Sequence, residues 1–195
     1  MTAAWRDGWL RGGGIAHCPS PNFSMRTAGV AVDLVVIHSI SLPPGHYGGD
    51  AIERLFTNSL DTSAHPYYDA LRGLRVSAHF VVRRDGQLIQ YVSCDERAWH
   101  AGASSWRGRA GCNDFSIGIE LEGLEDERFE PAQYDALVPL LAKIATRYPI
   151  DGVAGHEHVA PARKRDPGRG FAWTPLIARL GWPARYFPDV VTGRV

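Results

Sequence analysis

The stretch GHEHVAPARKRDPG, Gly155 to Gly168, places two histidines, a glutamate, a lysine and an aspartate close together in sequence. It is not the zinc-protease pattern HExxH, which needs its second histidine where Ala160 stands. A metal here would need ligands from elsewhere. His38 sits near the end of the apolar run DLVVIHSI (Asp33–Ile40), where a buried imidazole needs partners for both nitrogens. A metal bond backed by a hydrogen bond on the other nitrogen supplies them. His156 follows Gly155 after another apolar segment, and Asp166 precedes Pro167–Gly168, which end the local structure. Two neutral imidazoles and one carboxylate, with a fourth position left to water, form a common catalytic zinc site. Spacing alone does not bring His38, His156 and Asp166 together.

The elements that must position these residues are legible in outline. DLVVIHSI is a short, β-branched run suited to a buried central strand. SLPPGHYGG then breaks regular structure, and DAIERLFTNSL has helical character with Ile52, Leu55 and Phe56 on one face. SAHFVVRRDGQLIQYVS (Ser77–Ser93) reads as a hairpin with a tight turn at Asp85–Gly86. DFSIGIELEG alternates, with Phe115, Ile117, Ile119 and Leu121 on one face and Ser116, Gly118, Glu120 and Glu122 on the other. From Pro131 to Tyr148 the apolar residues Leu137, Leu140, Leu141, Ile144 and Tyr148 mark a long amphipathic helix. Strands and helices interleave without strict βαβ regularity. The expected fold is α/β (α+β mixed), a single domain over 1–195 with a central mixed β-sheet flanked by helices.

Bulk composition narrows the function classes. The chain has 195 residues, and its 21 acids balance 21 lysines and arginines. A neutral chain has no general attraction for nucleic acid or anionic membrane, so neither is an expected partner. No apolar stretch has the length of a secretion signal or a membrane helix, and Cys18, Cys94 and Cys112 share no paired spacing. Reduced thiols in a cytoplasmic protein are expected.

Five ordered blocks carry a resemblance: VVIHSISLPPGHYGG, RVSAHFVVRRDG, AWHAGASSW, CNDFSIGIELEG and GHEHVAPARKRDPG. In this order they resemble the AmpD-type 1,6-anhydro-N-acetylmuramyl-L-alanine amidases. These are zinc N-acetylmuramoyl-L-alanine amidases whose fold is shared with peptidoglycan recognition proteins. The match runs from about Pro19 to Pro175. The resemblance implies one Zn²⁺ per chain held by His38, His156 and Asp166, with Glu120 and Lys164 as catalytic residues. Glu120 would act as general base and then acid, and Lys164 would stabilise the developing oxyanion. The bond cut would join the lactyl group of 1,6-anhydro-N-acetylmuramic acid to L-alanine. The substrates implied are 1,6-anhydromuramyl peptides of cytoplasmic wall recycling, with no obligate protein partner evident.

Ser39, Arg75, Trp99 and His100 are candidate substrate contacts: Trp99 and His100 offer a flat apolar face beside a polar group, and Arg75 a planar fork for a carboxylate. Glu122 is expected to be a solvated acid, Cys112 a small buried residue and His79 a satisfied structural histidine. His158, two residues from His156, is expected on the same strand face yet outside the ligand set. Ser39 stands where relatives often have asparagine, and Gly111 where they often have arginine. The competing readings are a non-catalytic peptidoglycan-fragment recognition module, an amidase acting on polymeric peptidoglycan, and a structural zinc protein.

Overall fold

The computed structural model describes residues 3–193. The chain opens with a ribbon of β1 (Ala4–Arg6) and β2 (Trp9–Arg11), then β3 (Ala16–His17), β4 (Phe23–Met25) and β5 (Leu34–Ile40). Helix α1 (Ala51–Phe56) precedes the hairpin β6 (Phe80–Val82) and β7 (Leu88–Gln90). Strands β8 (Glu96–Ala98), β9 (Ser105–Trp106) and β10 (Arg109–Ala110) lead to β11 (Ser116–Glu122). Helix α2 (Pro131–Ala145), β12 (Gly152–Gly155) and the helices α3 (His156–Val159), α4 (Trp173–Leu180) and α5 (Asp189–Thr192) follow. Six strands form one mixed sheet in the order β12-β5-β11-β6-β7-β3. The four strands from β12 to β6 are parallel, and β7 is antiparallel to β6. This is the mixed, helix-flanked sheet expected from the interleaved pattern.

Every residue of β11 is buried, so its polar face is not a solvent face. Parallel strands are covered on both sides, and the alternation in SIGIELE separates two interiors. One interior is apolar: Val35, Ile37, Ile117, Ile119 and Leu121 pack against Leu137, Leu140, Leu141 and Ile144 of α2. Those helical positions recur at the spacing of one face, and full burial of each such side chain is worth about 1.5–3 kcal/mol. Pro131 at the first turn and a reciprocal Glu130–Gln133 capping box start the helix where the sequence pattern begins.

On the opposite face Leu34, Val36 and Ala154 pack with Ala101, Trp106, Cys112, Phe115 and Val159. Beyond this floor, toward the carboxyl ends of the strands, Glu120 lies directly beside His38 in register. In open α/β sheets this end of the strands is where ligands bind. The apolar floor therefore fixes the backbone from which the chemistry projects.

Two local expectations need correcting. The hairpin closes on an Arg83 N–H to Gln87 carbonyl bond of 2.8 Å, giving a three-residue turn, Arg84 to Gly86, in place of a two-residue one. Gly86 supplies the positive φ, +86°, and a Cβ there would meet the Ala132 carbonyl oxygen at 2.8 Å. Glu122 is not a solvated acid. Its carboxylate accepts from the Gly48 amide at 2.6 Å, from Arg83 Nη1 at 3.0 Å and from the Arg84 amide at 3.3 Å, while Arg83 also donates to the Gly49 carbonyl. Its second face is covered by the loop carrying Gly48 and Gly49, which strand alternation could not show. Glu122→Ala would strand the buried Arg83 guanidinium and should destabilise the fold by about 3–5 kcal/mol. A urea midpoint equal to wild type would contradict this role.

His79 and Cys112 match expectation. Cys112 is fully buried. His79 accepts the Gly118 amide on Nδ1 at 2.9 Å, and its Nε2 lies 3.1 Å from the Glu96 carbonyl, so both nitrogens are used.

Candidate active site

Strand β5 delivers His38, the start of α3 delivers His156, and the loop after α3 delivers Asp166; all three are buried. Their ligand atoms form a triangle. His38 Nδ1 lies 2.9 Å from His156 Nδ1 and 3.1 Å from Asp166 Oδ2, and His156 Nδ1 lies 3.0 Å from the same oxygen. A tetrahedral zinc with bonds of about 2.0–2.1 Å sets its ligands roughly 3.3 Å apart, so the triangle is of the right size. Spacing in sequence did not bring these residues together; the parallel pairing of β12 with β5 does.

Proton bookkeeping shows what the triangle needs. His156 Nε2 faces the Ala101 carbonyl at 3.1 Å, and a carbonyl only accepts, so the proton of this ring sits on Nε2. In the neutral ring, the form a metal binds, Nδ1 is then a bare lone pair. Burial alone would raise the Asp166 carboxyl, but contact with His156 and His38 outweighs it and holds the group well below the usual range. It is a carboxylate. Burial pushes His38 down to about 4, so its ring is neutral and brings at most one proton on Nδ1. Three acceptor atoms thus converge with too few protons to separate them, and a cation satisfies all three. The site's donors fit a zinc ion, and neutral imidazoles with an ionised carboxylate are the forms a metal binds.

The same burial has a consequence for acid stability. His38 and His158 are lowered to about 4 and His79 to about 3, each chiefly by desolvation. The unfolded chain takes up protons near the ordinary value of 6.5 while these native rings stay neutral. Their contribution is fully present above that value and is lost as pH falls through the window between about 6.5 and 3. The urea midpoint of the metal-free protein should fall steadily across that window; a flat midpoint would contradict neutral buried rings.

Glu120 and Lys164 line the same cleft as the ligand trio. Burial, and secondarily the Asp166 charge, holds the Glu120 carboxyl well above the ordinary range, while Lys164 pulls it down. Glu120 Oε2 is buried and has no hydrogen-bond partner. A buried carboxyl oxygen left open beside a ligand trio is placed to take a proton from a water or substrate group there.

The cleft measures ≈420 Å³. Ser39, Trp99 and His100 line it, and Trp99 is fixed by its Nε1–H donating to Ser24 Oγ at 3.2 Å. Arg75 is exposed and lies between the lining residues Leu74 and Val76 without lining the cleft itself. His158 is not on a strand. It falls within α3, where two helical steps turn it away from His156. Its Nδ1 accepts the Gly155 amide at 2.9 Å and its ring packs edge-on against Trp173, outside the ligand group. Sequence reasoning passed over Asn113, Ser116 and the Ala101 carbonyl, which contact the histidines from behind. A backbone carbonyl carries no residue-type signal.

So arranged, the cleft suits hydrolysis of an acyl bond beside a single metal ion, which is the chemistry of a metal-type hydrolase. Residues 28–169 match the N-acetylmuramoyl-L-alanine amidase family, and the chain belongs to that family. It is 48% identical over 174 residues to the 1,6-anhydro-N-acetylmuramyl-L-alanine amidase AmpD of Citrobacter freundii, covering 88% of this chain and 92% of that one. Its fold is similar to the crystal structure of a selenomethionine AmpD derivative, with a TM-score of 0.86, 47% identity and coverage of 91% and 99% of the two chains. A further similarity is to the amidase AmiD from Escherichia coli in complex with the substrate anhydro-N-acetylmuramic acid-L-Ala-D-γ-Glu-L-Lys. There the TM-score is 0.55, the identity 30%, and the coverage 81% of this chain and 65% of that one.

Proposed function

We propose that this protein is a zinc-dependent amidase that cleaves the bond between the lactyl group of 1,6-anhydro-N-acetylmuramic acid and L-alanine, in wall fragments recovered to the cytoplasm. The observation that carries the reading is the proton-poor triangle of His38, His156 and Asp166 beside the unpartnered oxygen of Glu120. Similarity to AmpD along most of both chains supports the substrate class. The whole chain would act as one amidase unit, and among the described residues no helix is long and apolar enough to cross a membrane.

His38, His156 and Asp166 would hold the zinc, which supplies an acidified water and a Lewis acid for the scissile carbonyl. Glu120 takes a proton from the attacking water and returns it to the leaving amine of L-alanine. Its raised affinity for protons suits the second half of that exchange. Lys164 places a fixed positive charge where the carbonyl oxygen becomes anionic. Leu42, Leu74, Val76 and Trp99 give the cleft an apolar wall. Such a wall suits the closed face of an anhydro sugar, with Ser39 among the polar groups of the lining.

Competing substrates are compared by kcat/KM. Anhydromuramyl-tripeptide should be clearly preferred over the nucleotide-linked muramyl-pentapeptide precursor, which carries the same amide on a non-anhydro sugar. Equal or faster cleavage of the precursor would overturn the recycling assignment.

A further inference from the structure

Both imidazoles of the ligand trio present their second nitrogen to one short stretch, Trp99 to Ala101. His156 Nε2 meets the Ala101 carbonyl at 3.1 Å, and His38 Nε2 meets His100 Nδ1 at 2.9 Å. The other nitrogen of His100 lies 3.2 Å from Ser116 Oγ on β11. The stretch is itself clamped: Asn113 Oδ1 accepts the His100 amide at 3.2 Å and the Ala101 amide at 2.8 Å. Arg163 Nη2 donates to the Ala101 carbonyl at 2.6 Å, tying the stretch to the loop that carries Lys164 and Asp166. The sheet leaves room for the ring in one place. Gly118 faces it, and a Cβ there would stand 2.5 Å from His100 Cγ.

We propose that His100 is a positioning residue and not a substrate contact: protonated on Nε2 toward Ser116, it accepts the Nε2–H of His38 on Nδ1 and so keeps the His38 Nδ1 lone pair free for the metal. The Ala101 carbonyl does the same for His156. One segment, held by the Asn113 side chain, thereby fixes the tautomer and ring orientation of both imidazole ligands. Without it His38 has two nitrogens to choose from, and the Asp166 carboxylate beside Nδ1 would draw the proton to the wrong one. Both ring nitrogens of His100 are occupied within the protein, which leaves none to bond a substrate.

The inference rests on the trio being metal ligands, and the test separates the two. In zinc-loaded protein carrying ¹⁵N-histidine, NMR should show His100 protonated on Nε2, with coupling across a hydrogen bond between His38 Nε2 and His100 Nδ1. A proton on His100 Nδ1 would overturn the proposal whatever the variants do. By chelator competition, His100→Phe keeps the ring but lacks the acceptor, and should bind zinc roughly 10–100-fold more weakly. His100→Asn, whose Oδ1 can stand where Nδ1 did, should recover most of that loss. If wild type holds zinc and His100→Phe holds it equally tightly, this inference fails alone. If wild type does not hold zinc, the reading of the site fails with it.

Discussion

Replacing any one of His38, His156 or Asp166 by alanine is expected to remove zinc and activity together. The trio already holds the minimum of protein ligands for a catalytic zinc, with the fourth position needed for water. Loss of one leaves two, and no replacement is at hand: among the described residues the only group of three or more close metal-ligating side chains is this trio. Asp166→Ala also removes the one anionic ligand, leaving neutral nitrogens to hold a dication. Activity should fall to background and the metal content of purified protein to near zero. His158→Asn is the matched control. Its ring is held by the Gly155 amide and Trp173, so zinc should stay. Full zinc occupancy in any alanine variant would exclude that residue as a ligand.

Glu120→Ala and Lys164→Ala should behave differently, keeping the metal while losing kcat. Neither belongs to the ligand triangle, yet both line its cleft. Loss of a proton-transfer group typically costs 10²–10⁴-fold and loss of an oxyanion partner about 10²–10³-fold. Glu120→Gln refines the test, since it keeps the shape and removes the titratable oxygen that has no partner in the folded protein. Metal analysis beside single-turnover kinetics distinguishes these variants from those of the ligands. Zinc loss in Glu120→Gln, or undiminished turnover in either alanine variant, would contradict the roles assigned.

The long, strongly patterned elements were legible in the sequence. Leu137, Leu140, Leu141 and Ile144 fall on the buried face of α2, and the run LVVIHSI is β5. Residue type made His38, His156 and Asp166 candidates and the family resemblance singled them out, but their convergence depends on β12 pairing beside β5, a contact between distant segments that no local period encodes. Glu122 shows the limit most clearly. Its strand position matches that of Glu120, two residues away, and alternation treats both alike. Tertiary contacts decide between them: one carboxylate meets Arg83 and the Gly48 amide, the other is left open to the cleft. His158 was misplaced because a four-residue helix leaves no periodic signal.

The central claim is that this chain cuts the lactyl–alanine amide of an anhydromuropeptide by means of a metal held at His38, His156 and Asp166. The most direct measurement incubates anhydromuramyl-tripeptide with the purified protein, with protein stripped by chelator, and with stripped protein given back one equivalent of zinc, identifying products by mass spectrometry. The account predicts free anhydro sugar and L-alanyl peptide from the native and restored protein and intact substrate from the stripped one. Undiminished cleavage by the stripped protein, or cleavage at a different bond, would contradict it.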